Sequence, residues 1–209
     1  MMPKNNKKKV FLLFLFIYPC IFFFSVRGIY ARSEISSIKN SKEQSAKFIK
    51  ELVTECLNIV NNSDMSDDQK REKLSGYINK FLDVDRIAQA VFSRMGYKAL
   101  PPGDQNKVKA YLKKYLLHFY AGSGKLSAMM NAKLLADPVA EPKGEDFAVS
   151  TQFTKNSALA TKIVWVIKGQ KIYYIEVEDI NQIITLRSEM QAAIGSQTLM
   201  EYINRNSDE

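Results

Sequence analysis

A chain of 209 residues with 46% hydrophobic and 25% charged side chains has enough apolar material for one ordinary globular domain with a sizeable core. That composition excludes both a disordered chain and a multi-span membrane protein. The formal charge of +8 comes largely from one end: five of the 30 basic side chains and none of the 22 acidic ones lie in residues 1–31, so the remainder carries 25 against 22, a net +3. A body so near neutrality, with Lys and Arg interleaved among acids, does not argue for nucleic acid.

Residues 1–31 have the order of an export signal. Lys4, Lys7, Lys8 and Lys9 precede the apolar run from Val10 to Val26, and Ala31 follows as a small residue before polar sequence. The alternative is an uncleaved anchor, because Val10–Val26 approaches the roughly 20 residues that span a bilayer. The expected division is therefore a signal peptide over 1–31 and a single domain over 32–209. Cys20 leaves with the signal, and Cys56 alone forms no intramolecular disulfide, so packing must hold the domain together. Cys56 itself reads as a small buried hydrophobe.

Helical periodicity opens the domain. Phe48, Ile49, Leu52, Val53, Cys56, Leu57 and Val60 share one side of a helix over 46–60. Ser66 followed by Gln69 is a capping-box pattern and predicts a second helix over 67–80. Leu82, Val84, Ile87, Ala88, Val91 and Phe92 carry a third, which stops at Gly96. Pro101, Pro102 and Gly103 break the chain, with Asp104 as the expected cap of the longest helix. Its broad apolar face is Val108, Tyr111, Leu112, Tyr115, Leu116 and Phe119, and Gly122 and Gly124 are expected to end it.

The period then becomes two. Strands are predicted at 147–153, at 160–168 and at 171–177, the last pair joined by a short Gly-containing turn, with an edge strand at 133–139. Strict alternation places Ile163, Trp165 and Ile167 on one face of their strand, and Tyr173, Ile175 and Val177 on one face of theirs, turned to the apolar interior. A helix over 180–195 follows, with Asp179 as its expected cap, and Ser196 is expected to cap a short closing helix. Helices, then a meander, then helices predict an α+β domain: a curved antiparallel sheet of about four strands with helices on one face.

The inventory for catalysis is poor. His118 is the only histidine and sits within a helix, and one His with one mature Cys cannot supply a zinc site. Glu176, Glu178 and Asp179 read as a strand-to-helix junction, with Lys162 and Lys168 as cross-strand partners of the glutamates. No catalytic residue, metal or cofactor is expected. Large soft apolar residues are abundant instead, and such residues line adaptable pockets. An enzyme on the same scaffold remains an alternative, with Tyr111, Tyr115 and Asp146 as its candidates.

The segment FLDVDRIAQAVFSRMGYKALPPGDQNKVKAYLKKYLLHFYAG, the meander after it and EVEDINQIITLRSEMQAAIGSQTLMEYI together resemble the MlaC family of periplasmic phospholipid-transport proteins, also described as toluene-tolerance auxiliary proteins. The resemblance runs from about Phe48 to Ile203. It implies a ketosteroid-isomerase-like core enlarged by N-terminal and C-terminal helices, with acyl chains held in an apolar cavity. It further implies a periplasmic, monomeric shuttle between an inner-membrane ABC transporter with its MCE-domain component and an outer-membrane lipoprotein–porin complex. On that reading Met95, Tyr97, Leu116, Phe119, Phe153, Trp165, Tyr173 and Ile175 contact lipid. A hopanoid-type lipid carrier and a membrane-anchored adaptor domain are the other readings. The sequence departs from the family's usual ending at Tyr174 and over Glu178–Asn181.

Overall fold

The computed structural model describes residues 41–121, 130–155 and 161–206. The expected export segment and the glycines expected to end the long helix lie outside the described residues. Helix α1 (41–61) buries Phe48, Ile49, Leu52, Val53, Leu57 and Val60 of the face expected from its period, leaves Cys56 of that face half-buried, and adds Ile59. Each such apolar side chain removed from water contributes on the order of 1.5–3 kcal/mol. Helix α2 (Asp67–Phe81) starts at the expected capping box: Gln69 N donates to Ser66 Oγ at 3.3 Å, and Ser66 N donates to Gln69 Oε1 at 2.9 Å. Its Leu74 packs on Ile59 and Val60, while Phe81 meets Phe48 edge to face with 5.2 Å between ring centres.

Helix α3 (Val84–Phe92) is capped by Asp83, whose Oδ1 accepts from Arg86 N at 3.0 Å. It ends in two short 3-10 turns, Ser93–Met95 and Tyr97–Ala99, between which Gly96 takes φ +81°. That left-handed conformation suits glycine, which has no Cβ to clash. Helix α4 (Pro102–Ala121) begins two residues before the expected cap. Pro102 occupies its first position, where the missing N–H costs no hydrogen bond, and Asp104 lies inside the first turn beside Lys107 at 3.2 Å.

Six antiparallel strands follow: β1 (Ala132–Leu134), β2 (Val139–Lys143), β3 (Asp146–Lys155), β4 (Thr161–Lys168), β5 (Lys171–Val177) and β6 (Ile180–Asn181). The order is β1-β3-β4-β5-β6, with β2 pairing the other half of the β3 edge that β1 occupies. The edge strand expected at 133–139 does not form as one piece: β1 ends at Leu134, residues 135–138 with Pro138 make a break, and β2 begins at Val139, while β6 adds a short strand beyond those read from the sequence. The α+β class stands.

One register detail changes a side-chain assignment. Trp165 pairs with Ile175, but a bulge between Val166 and Ile167 makes Ile167 pair with Ile172. Paired residues share a face, so Ile172 joins Trp165, Ile167 and Ile175, and Tyr173 is displaced from the face that strict alternation assigned to it.

The turn from β5 to β6 consists of Glu178 and Asp179, both with positive φ (+48° and +62°). Asp179 therefore does not cap the next helix, α5 (Gln182–Ile194). That role falls to Asn181, whose Oδ1 accepts from Ile183 N at 2.9 Å and Ile184 N at 3.4 Å. Asp179 instead accepts from Lys162 Nζ at 3.0 Å, and Lys162 N donates to Glu178 Oε1 at 2.6 Å. Lys168 pairs with Glu145, and Glu176 with Lys143. Helix α6 (Leu199–Asn206) opens with a capping box at Thr198 rather than at Ser196: Thr198 N donates to Glu201 Oε2 and Glu201 N to Thr198 Oγ1.

Two main apolar clusters result. One joins α1 to the sheet through Phe48, Ile49, Val149, Ile167 and Ile172; the other joins α3, α4, α5 and α6 through Phe92, Val108, Leu112, Leu186, Met190 and Ile203. They meet along β5, where Leu82 bridges to Ile172 and Asp83 N donates to Ile172 O at 2.8 Å.

Candidate functional site

The helical cluster leaves two adjoining crevices against β5. The first, about 260 Å³ including its open mouth, lies between α4 and α5 and is lined by Tyr115, Leu116, Phe119, Gln182, Thr185, Leu186 and Glu189. The second, about 330 Å³ on the same measure, continues toward β5 and α3 and is lined by Leu82, Ile87, Leu116, Ile172, Tyr173, Tyr174, Ile175, Gln182, Ile183 and Leu186. Leu116, Gln182 and Leu186 are common to both, so the two form one continuous feature. It is narrow, with closed space for no more than about one or two water molecules in either part.

The periodicity of two helices builds this feature. Leu112, Tyr115, Leu116 and Phe119 recur at helical spacing on α4, and Gln182, Thr185, Leu186 and Glu189 do so on α5. Tyr115 and Phe119 stack with 6.3 Å between ring centres and 11° between planes. The Tyr115 hydroxyl donates to Glu189 Oε2 at 3.2 Å. Burial, and then the Glu189 carboxylate, raise the Tyr115 hydroxyl above its ordinary range, so it stays protonated and donating.

The eight residues expected to meet lipid divide into three groups. Leu116 lines both crevices, Phe119 lines the first, and Tyr173 and Ile175 line the second. Met95 and Tyr97 belong to the same helical cluster without lining either crevice. Phe153 and Trp165 pack in the cluster between α1 and the sheet, where Trp165 Nε1 donates to Thr151 Oγ1 at 2.9 Å. The sequence reading passed over the α5 contribution, because it weighted aromatic residues and methionines in the middle of the chain. The stripe Gln182, Ile183, Leu186 and Glu189 carried the signal.

The three residues considered for catalysis are engaged separately. The Tyr111 and Tyr202 hydroxyls lie 3.0 Å apart, and Tyr115 is bonded to Glu189. Asp146, 8% exposed, accepts from Arg86 Nη1 at 3.1 Å, from Arg86 Nη2 at 2.9 Å and from the Tyr173 hydroxyl at 3.0 Å. The Arg86 hydrogen bonds hold the Asp146 carboxyl below its ordinary range, while burial, with the Asp146 bond second, pushes Tyr173 up to about 12. The Arg86 guanidinium also lies 3.6 Å over the Tyr173 ring. A carboxylate so neutralised is an anchor for β3 and β5 on α3 and a poor proton acceptor. Burial, with Glu55 second, raises the Cys56 thiol to about 11, which makes it unreactive.

Comparison with known proteins places this geometry. None of the curated proteins compared with the chain matches it. Among solved structures, a phospholipid-binding protein from Ralstonia solanacearum, determined in complex with a phospholipid, shares the fold with a TM-score of 0.59 at 16% identity, covering 76% of this chain and 94% of that one. The family model described as MlaC protein matches residues 50–205, which span α1 to α6. The chain belongs to the MlaC protein family.

Proposed function

We propose that the protein is a periplasmic phospholipid carrier that takes acyl chains into the crevice between α4, α5 and β5 and has no catalytic role. The observation that carries this reading is the continuity of the crevice, whose two parts share Leu116 and Leu186 and whose inner part is walled by Leu82, Ile87, Ile172, Ile175 and Ile183. Family membership supports it, as does the phospholipid bound by the Ralstonia solanacearum protein of the same fold. Each methylene leaving water contributes about 0.8 kcal/mol, so a carrier needs an apolar lining and no catalyst.

The crevice is too narrow for a chain as it stands, so uptake separates α4 and α5 from β5. The lining apolar surface that this uncovers is covered again by the acyl chains, which keeps the exchange near balance. Residues 1–31 act as a cleaved signal. The monomeric carrier then exchanges lipid with an inner-membrane ABC transporter and its MCE-domain component on one side, and with an outer-membrane lipoprotein–porin complex on the other.

Native mass spectrometry of the protein extracted mildly from cells, together with uptake of labelled phospholipid from liposomes, tests the carrier reading. Bound lipid in the first and transfer in the second are expected. Lipid-free protein that also takes up nothing overturns it. Sequencing the N-terminus of the exported protein tests the signal, with a start close after Ala31 as the expected result and an intact Val10–Val26 segment as the contrary one.

A further inference from the structure

The two parts of the crevice differ in polarity, and the one charged lining residue lies in the first. Glu189 is the only charged residue lining either part. Among the described residues it makes no ion pair, its one bond being the hydroxyl it accepts from Tyr115. Thr185 spends its hydroxyl hydrogen on Asn181 O at 3.5 Å, and Gln182 Nε2 donates to Ile180 O at 3.1 Å. What the α5 rim offers a ligand is therefore three acceptors, the Glu189 carboxylate, the Gln182 Oε1 and the Thr185 hydroxyl oxygen, against one remaining donor, the second N–H of Gln182.

The cations nearest the opposite end are already committed. Arg86 is bonded to Asp146, and Lys143 to Tyr174 and Glu176. Neither lines the crevice itself, although Lys143 is held by Tyr174, a lining residue of the second part on β5.

Resting on the carrier reading, we infer that the α5 rim selects an amphiphile whose headgroup carries a primary ammonium, of the ethanolamine type, over one with a net-negative headgroup. An ammonium supplies three N–H donors and a positive charge to an acceptor rim with a single carboxylate. A quaternary ammonium keeps the charge but has no N–H to give. An anionic headgroup meets the unpaired Glu189 as a like charge. The preference is modest, because Glu189 is exposed to solvent.

The test loads the exported full chain from vesicles containing equal amounts of phosphatidylethanolamine, phosphatidylcholine and phosphatidylglycerol, and reads the bound lipid by mass spectrometry. The expected result is enrichment of the ethanolamine lipid over the glycerol lipid by about threefold, with the choline lipid between them. Glu189→Gln then brings the bound ratio to that of the vesicles, and Glu189→Lys reverses it. Wild-type protein that binds lipid in the vesicle ratio overturns the inference alone, as does a preference that Glu189→Gln retains. Protein that takes up no lipid of any kind overturns the carrier reading and this inference with it. If circular dichroism shows the Glu189 variants unfolded, Thr185→Lys places a cation on the same rim: a shift toward the glycerol lipid supports the inference, and an unshifted ratio overturns it.

Discussion

Arg86 and Asp146, 60 residues apart in sequence, form a two-pronged ion pair with N–O distances of 3.1 and 2.9 Å. The Tyr173 hydroxyl completes the arrangement by donating to the same carboxylate. Three elements, α3, β3 and β5, are thereby tied at one point, and two of them, α3 and β5, line the crevice. Asp146 is nearly buried while the Arg86 side chain is 36% exposed, so solvent moderates the loss of either partner. Asp146→Asn and Arg86→Leu should each lower stability by about 1–2 kcal/mol in urea unfolding, and Tyr173→Phe by about 1 kcal/mol. An Asp146→Asn variant as stable as wild type would show that the pair does not anchor the layers.

The same pair sets a pH dependence. Arg86 lowers the Asp146 carboxyl in the folded state, so at acid pH the unfolded chain binds more protons than the native one. The stabilising contribution is complete above the unfolded carboxyl value of about 3.9 and is lost as pH falls through the lower folded value. Wild-type protein should lose stability more steeply than Asp146→Asn over that acidic window and converge toward it at the lowest pH. Thermal unfolding followed from pH 7 down to the acid limit checks this, and parallel curves for the two proteins would contradict it.

At the β5–β6 junction, position 179 has φ +62°, where glycine is free of the Cβ penalty. Asp179→Gly gives up an exposed contact to Lys162 worth a few tenths of a kcal/mol and relieves about 1 kcal/mol of left-handed strain. It should therefore raise the Tm by about 2 °C. Asn181→Ala should act in the opposite sense, lowering stability by about 1 kcal/mol, since it removes the acceptor for Ile183 N and Ile184 N. Calorimetry of both variants decides whether the cap sits at 181 or at 179.

These two positions also show what was legible in the sequence. The capping box at Ser66 and Gln69 could be read directly, because its two members must lie three residues apart and the apolar period begins immediately after them. Near residue 180, Asp179 and Asn181 are both competent caps, and only the two-residue turn that places Glu178 and Asp179 at positive φ hands the role to Asn181. The bulge at Val166/Ile167 is likewise invisible to a period of two. It moved Tyr173 away from the face of Trp165 and brought Ile172 there. Half of the expected lipid contacts line the crevice; Phe153 and Trp165 join the other core, and Met95 and Tyr97 join the helical core away from the crevice, because a list of large apolar residues says neither which core each joins nor where in it each lies.

Leu186 lines both parts of the crevice and is 8% exposed. Leu186→Trp fills the place where the two parts join, at a cost of about 1–3 kcal/mol in overpacking, and should reduce lipid uptake from liposomes severalfold while the protein remains folded. Phe153→Leu, in the other cluster, is expected to lower stability with little effect on uptake. Equal uptake by wild type and Leu186→Trp would place the acyl chains elsewhere.

Trp165 is the only tryptophan of the chain, and its indole is fixed between α1 and the sheet with its N–H on Thr151. If acyl chains enter between α4 and α5, the surroundings of this ring do not change, and loading with lipid should leave its emission maximum in place. Phe119→Trp in a Trp165→Phe background puts the reporter at the crevice instead, beside Tyr115. Its half-buried ring should move from partial solvent exposure into acyl contact, with a blue shift on loading. The reverse pattern, a shift at Trp165 and none at position 119, would put the lipid against the sheet face, beside Trp165 and Phe153, and would locate the moving element in α1.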